Sequence, residues 1–431
     1  MSSAHIRYPC VIYMGENSTQ IKNSLLLVLE QAVIILSTFG FTVFAARSLS
    51  LEEYGTLSLA QYFFTFFGVF LTLSLNAITF QRLCEDINCS DEVLGSAYIT
   101  QLLSSTLIAV ILYCYYYLSG YKQDTVLLVI MFGLVNIFRR ADLFQVYWKA
   151  KEFTIRSTAG RIVARLLGAL YLVAIYFAEA VTILSIVGYF IVEAFLYLIL
   201  MHLSFKQDQH SIRFKFSVAV DMLNRVKSEI PNNFILSIAL SLPLITLEKI
   251  YGAEAIAPLS LALLCLSVFM NVANSFCDGF YRKMVNDDNS KSKFVGFYIR
   301  ITFAFAALVF SCNILFGGYV ITFVFGDKYS SSHDVFVWVS AFLFITLPTR
   351  VLFRLVYMGG LQRFNTYRVL PASVLSILSS IYIIPGYGVY GAIFSLAVYY
   401  LVGDLLGYFF KKQLSYIGLA FFQSLVFKEV K

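Results

Sequence analysis

Seven arginines stand inside apolar stretches of this 431-residue chain: Arg139, Arg140, Arg161, Arg165, Arg300, Arg350 and Arg354. A guanidinium keeps its charge at any physiological pH. Its planar fork of N–H donors suits a phosphate or pyrophosphate better than a neutral solute. Arg161 and Arg165 are four residues apart, as are Arg350 and Arg354, so each pair shares a face if its segment is helical. At the centre of a bilayer such a residue costs on the order of 2.5–3.5 kcal/mol, so it faces a cavity or a partner. Near a membrane boundary it has another outlet, snorkelling to lipid head groups. That outlet suits Arg354 and Arg161, whereas Arg140, Arg165, Arg300 and Arg350 lie deeper and are expected on a cavity wall. With Arg139 and Arg161 added, these form the candidate anion-binding set.

Four acids share these stretches: Glu30, Asp142, Glu193 and Asp404. Each can pair with an arginine, or take up a proton or Na⁺ to couple movement to an ion gradient, because burial raises a carboxyl pKa. Asp142 is close enough in sequence to Arg139 for a structural pair; the other three stay open between the two roles. No phosphate-binding GxxxxGK[ST] loop, HExxH, Cys/His ligand set or Gx[SC]xG elbow occurs, and the four histidines are dispersed. Neither an enzyme, a cofactor nor a bound metal is expected. The seven cysteines form no CxxC pair and read as free thiols. The first 23 residues show no signal peptide.

The elements that must hold these charges follow from composition. Hydrophobic residues make up 59% of the chain and charged ones 13%, against about 25% charged in soluble domains, and mean hydropathy is +0.77. A soluble core cannot hide that much apolar surface. Apolar runs long enough for a bilayer core about 30 Å thick lie near 24–46, 56–80, 94–118, 125–147, 158–178, 181–203, 229–248, 256–277, 294–316, 334–357, 369–385 and 389–410. The expected fold is all-α and integral to the membrane, with twelve transmembrane helices. The net charge of +7 argues for orientation rather than nucleic acid, since the cations sit between the runs. With both termini in the cytoplasm, 21 of the 32 Lys and Arg fall inside. Only Arg47, Lys122, Lys249 and Lys328 fall outside, as the positive-inside rule requires.

Two echoes divide the chain. Arg47, Glu52 and Leu57-Ser-Leu-Ala60 reappear 202 residues later as Lys249, Glu254 and Leu259-Ser-Leu-Ala262. Arg140, Val146 and Tyr147 match Arg350, Val356 and Tyr357 at a shift of 210, and Phe153 matches Phe364 at 211. Both echoes fall at equivalent places in two sets of six spans, so the halves are expected to be parallel repeats of the kind found in transporters. The division is 1–205 for the first six-helix lobe, 206–228 for a cytoplasmic linker and 229–431 for the second lobe. Within the linker, Phe214, Phe216, Val218 and Val220 interleave with Arg213 and Lys215, which suggests a helix lying on the inner leaflet.

The stretch Phe44-Ala-Ala-Arg-Ser-Leu-Ser-Leu-Glu-Glu-Tyr-Gly55 after the first span resembles the AR-x-L-x-x-x-x-(Y/F)-G hallmark of polysaccharide exporters. Phe325-Gly-Asp-Lys-Tyr329 resembles the FG-x-x-Y of the same family, and Glu248-Lys249 its acid–base pair ending the seventh span. These are the Wzx-type O-antigen and capsule flippases, within the superfamily that also holds multidrug and toxic-compound (MATE) extruders. The resemblance implies two lobes around a central cavity and alternating access. It implies movement of undecaprenyl-pyrophosphate-linked oligosaccharide to the outer leaflet of a bacterial inner membrane. The polymerase and chain-length regulator of the pathway, and membrane lipids, are the partners it implies. It assigns no binding residue here. A cation-coupled drug or metabolite antiporter of the same superfamily is the alternative reading.

Overall fold

The computed structural model describes residues 17–425 apart from 121, 122, 152–154, 209, 228, 287, 360, 362 and 363, and among these there is no strand. The first half comprises α1 (Asn17–Ser48), a broken pass α2 (Leu51–Phe66), α3 (Gly68–Thr72) and α4 (Leu75–Glu85), then α5 (Ser90–Leu118). Next come α6 (Gln123–Phe138) and α7 (Asp142–Ala150), joined by a tight turn at Arg139–Ala141, then α8 (Ile155–Phe177) and α9 (Ile183–Gln207). A short α10 (Phe216–Val226) leads to α11 (Glu229–Tyr251), α12 (Ile256–Asn286) and α13 (Asp288–Phe325). The tenth pass is again broken, into α14 (His333–Ser340), α15 (Leu343–Thr346) and α16 (Thr349–Met358). It is followed by α17 (Thr366–Tyr399) and α18 (Lys412–Leu425).

Among the described residues, eight helical runs are long and apolar enough to cross a membrane, and the two broken passes, bent by 57° and 40°, qualify as pairs. One of the eight, Thr366–Phe410, is a hairpin: Gly388 has φ +54°, a conformation only glycine adopts readily, and Arg368 Nη1 donates to Gly403 O at 2.8 Å across it. With the interrupted run Gln123–Ala150, the fold has twelve passes.

The break in the second pass has a local cause and a local remedy. Leu73 and Ser74 both sit in the left-handed region, φ 49° and 54°, where an L-residue is strained by roughly 1–2 kcal/mol. The carbonyls so released would be unsatisfied in lipid. Instead Gln101 donates to Thr72 O at 2.9 Å, Ser105 to Leu71 O at 3.2 Å, and Ser104 to Phe70 O. Arg140 Nη1 reaches the same Leu71 O at 3.0 Å.

Buried apolar residues fall into three clusters. One joins the two halves, running from Ala45, Leu49 and Tyr54 through Leu244 and Ile256 to Tyr329 and Ile384. The other two belong to separate halves. The first gathers Leu83, Leu94, Trp148, Phe205 and Met222, and the second Tyr298, Leu352, Tyr408 and Ile417. Both lie beside the loops that carry most of the lysines and arginines. The halves are therefore joined through the large shared cluster, while each keeps a core of its own toward the basic end.

Two elements lie outside the twelve passes. The linker segment is a helix whose Ala219, Met222 and Val226 pack on the first half, tied by an Arg82–Asp221 ion pair, while Phe214, Phe216 and Val220 stay exposed. Beyond the twelfth pass, α18 packs Leu414, Ile417 and Phe421 into the second basic-end core. At 14 residues it is too short to cross a bilayer core.

Candidate functional site

Between α1, α2 and the fourth to sixth passes lies a cavity of about 550 Å³. Its wall carries Thr38, Thr42, Ser58, Gln61, Thr65, Thr72 and Asn136, with Arg139, Arg140, Arg165 and Asp142. The turn at Arg139–Ala141 aims two consecutive arginines at this space from a pass that an unbroken helix would have kept apolar.

Each charge can be followed to its partner. Arg165 Nε lies 3.2 Å from Glu193, and its Nη1 donates to Ser37 and Thr38 at 2.7 and 3.0 Å. Arg139 approaches the same Glu193 at 3.6 Å and sits over the Phe190 ring. Arg161 bridges Glu30 at 3.1 Å and Asp142 at 2.7 Å, and Gln145 and Thr158 both donate to Glu30 at 2.8 Å. Arg140 differs. Only 7% exposed, it donates to the carbonyls of Asn136 and Leu71 and has no carboxylate within 4 Å among the described residues. Four guanidiniums (Arg139, Arg140, Arg161, Arg165) thus face three carboxylates (Glu30, Asp142, Glu193), leaving one positive charge, and Arg140 is the group that carries it.

The second half repeats the motif. Asp404, in a widened helical turn at Tyr400–Leu405, meets Arg350 at 3.5 Å and Arg368 at 2.9 Å. Glu193 and Asp404 are 211 residues apart, the repeat distance, so each half places one acid of its sixth pass between arginines of its fourth and fifth.

Of the six arginines singled out from sequence, Arg139, Arg140 and Arg165 line the cavity and Arg161 backs it through Asp142. Arg350 belongs to the second-half triad. Arg300 lies against α18, where its Nη1 approaches Ser424 O at 3.4 Å. Asp142 pairs with Arg161 rather than Arg139, because the turn at 139–141 rotates Arg139 toward α9. Arg161 is held by two carboxylates and does not snorkel. Arg368, which falls just before an expected span and counts there as a loop cation, is 4% exposed. The signal that could have found it is the lone Asp404 in the adjoining span.

The two sequence motifs meet where the halves join. Arg47, at the end of α1, donates through Nε to Val324 O at 2.9 Å and through Nη2 to Phe323 O, the last carbonyls of α13. Lys328 answers by donating to Arg47 O at 3.2 Å and to Leu49 O, in the last turn of α1 and just past its end. Each half therefore caps the negative end of the other half's helix. Tyr54 and Tyr329 meet edge to face at 6.3 Å. Gly55 has no room for a side chain, since a Cβ there would collide with Ala253 O. Ser50 and Glu53 start α2 with a reciprocal capping box. Tyr54 belongs both to this cross-capped contact and to the cavity wall.

Compared by sequence, the chain matches no protein-family model and no curated protein. Compared by structure, it has the fold of lipid II flippase MurJ in an inward closed conformation. The TM-score is 0.73 at 14% identity, covering 94% of this chain and 92% of that one. It is also similar to an inward-facing multidrug resistance MATE family transporter of the MOP superfamily, with TM-score 0.65, 13% identity, and 91% and 98% covered. An outward-facing structure of the same description gives 0.60 at 14% identity, with 93% and 96% covered.

Proposed function

We propose that the protein is a flippase for undecaprenyl-pyrophosphate-linked oligosaccharide in a bacterial inner membrane, working by alternating access. The twelve-pass fold is shared with a lipid flippase and with multidrug transporters, so fold alone does not choose between them. The observation that carries the choice is the surplus charge on the cavity wall. A buried guanidinium whose only partners are carbonyls is under-compensated, and a pyrophosphate supplies both the charge and the acceptor oxygens it lacks. A cation-coupled antiporter needs the opposite, a carboxylate free to load and release a cation. Here Glu30, Asp142, Glu193 and Asp404 are all engaged by arginine.

With the basic loops in the cytoplasm, the Arg47–Lys328 lock lies at the outer side and holds the halves together there. The head group enters from the cytoplasmic leaflet, settles against Arg140, and leaves after the lock parts and the basic ends approach. The halves rock about the seam between them, and the strained turn at Leu73–Ser74 is where the second pass bends. Deleting the gene tests the reading: long-chain surface glycan should disappear while lipid-linked repeat units accumulate on the inner leaflet. Normal glycan with altered drug resistance would instead favour the antiporter.

A further inference from the structure

The broken second pass is held from two sides, and one of the holders is Arg140. Leu71 O receives Arg140 Nη1 at 3.0 Å and Ser105 Oγ at 3.2 Å. Three residues on, Ser74 sits at its left-handed φ of 54° and accepts a hydrogen bond from Asn233 Nδ2 at 3.2 Å. Phe234 packs edge to face on Phe66 at 5.7 Å and on Phe70 at 4.7 Å. Asn233 and Phe234 belong to α11, which is fixed to its own half. There Asn232 donates to Thr366 at 2.7 Å, and Ser376 of α17 donates to Ala239 O at 3.2 Å. The second half thus grips the break at Ser74, and Arg140 grips it at Leu71.

Arg140 cannot serve the break and an anion equally well. Its Nε and Nη1 are both engaged with carbonyls, and each edge of the fork that grips two phosphate oxygens includes one of these nitrogens. Of the two acceptors, Leu71 O is the one that can lose its arginine, because Ser105 goes on donating to it. We infer that Arg140 clamps the hinge of the empty protein and that the arriving head group releases it, so that Ser74 leaves Asn233 and the halves rock only when loaded. This rests on the head-group assignment above. Coupling of this kind requires an element with two arrangements. The break supplies it, since two consecutive L-residues in the left-handed region return to ordinary geometry once their restraints go. Linkage makes the effect reciprocal: weakening the Ser74–Asn233 contact tightens the anion site. Neither Asn233 nor Ser105 is part of the cavity wall, so neither acts on the ligand by touch.

The test uses the full-length protein in nanodiscs and inorganic pyrophosphate. A bound ligand ordinarily slows backbone hydrogen exchange; here pyrophosphate should quicken it across 70–76, about tenfold for the loss of one charged hydrogen bond. Asn233→Ala should bind pyrophosphate about threefold tighter, since it removes a contact that only the empty state makes. Ser105→Ala should bind it about fivefold more weakly, since release of Arg140 then leaves Leu71 O without a donor inside the membrane. A general loosening of the fold would move both variants the same way, so the opposite signs carry the claim. Exchange that does not quicken, or variants whose affinities do not part in these directions, overturns the clamp. If pyrophosphate binds the unsubstituted protein and these results fail, only the clamp falls; if it does not bind, the head-group reading falls and takes the clamp with it.

Discussion

Replacing both lock cations, Arg47→Gln with Lys328→Gln, should tip the protein toward an outward-open state. Each cation donates to two terminal carbonyls of a helix in the opposite half. A cation at a helix C-terminus contributes about 0.3–1 kcal/mol at an exposed site, and hydrogen bonds from charged groups add roughly 1.5–3 kcal/mol where water is excluded. Arg47 is exposed and Lys328 partly buried, so screening and solvent competition reduce these values, to about 1 kcal/mol for each residue. The pair then stabilises the closed state by about 2 kcal/mol, or roughly thirtyfold in the closed-to-open ratio. The Tyr54–Tyr329 contact remains, so the lock weakens without vanishing. Ser58 lies one turn beyond Tyr54, buried on the cavity wall. In a cysteine-free background, a thiol placed at Ser58 should react some thirtyfold faster with a membrane-impermeant maleimide applied from the outer face. The single variants should fall between. An unchanged rate at equal expression would refute the idea that these caps hold the outer end shut.

Other expectations follow from the same contacts. Gly55→Ala forces a methyl against Ala253 O; it should raise Ser58 labelling as the lock variants do, since the halves cannot close fully. Asp404→Asn leaves Arg350 and Arg368 facing each other unneutralised, and breaking a buried pair of this kind costs about 3–5 kcal/mol. Thermal unfolding should show a large drop that Arg350→Gln partly restores in the double variant. Arg161→Gln strands Glu30 and Asp142 and should reduce stability more than Arg139→Gln, whose ion pair is the longer and more exposed. If Arg161→Gln instead leaves the melting temperature unaltered, the counting of charges around the cavity is wrong.

Much of this architecture can be read from the residues, and the limits have a physical origin. Twelve runs, the basic loops and the two-fold echo are visible because length and charge report on the bilayer directly. Rotation of each helix is not. In a membrane the outward and inward faces are both apolar, so hydropathy carries little periodic signal, and nothing tells Asp142 to choose Arg161 over its near neighbour Arg139. The strained turn at Leu73–Ser74 has no glycine or proline to announce it. Arg368 was hidden by the boundary of its span, and α18 by its length. The motif around Arg47 was legible as a pattern, but its role needed the other half of the molecule: its contacts are with Phe323, Val324 and Lys328, some 280 residues away.

The claim that all else serves is that Arg140 holds an unneutralised charge awaiting an anion. The direct measurement is the affinity of purified protein for inorganic pyrophosphate, compared with Arg140→Gln, which keeps a donor for the broken pass but removes the charge. Losing one charged contact to phosphate corresponds to about ten- to a hundredfold weaker binding, and the account predicts a loss in that range with an unaltered melting temperature. Equal affinity in the two proteins, or binding that weakens only as the fold itself loosens, would contradict it.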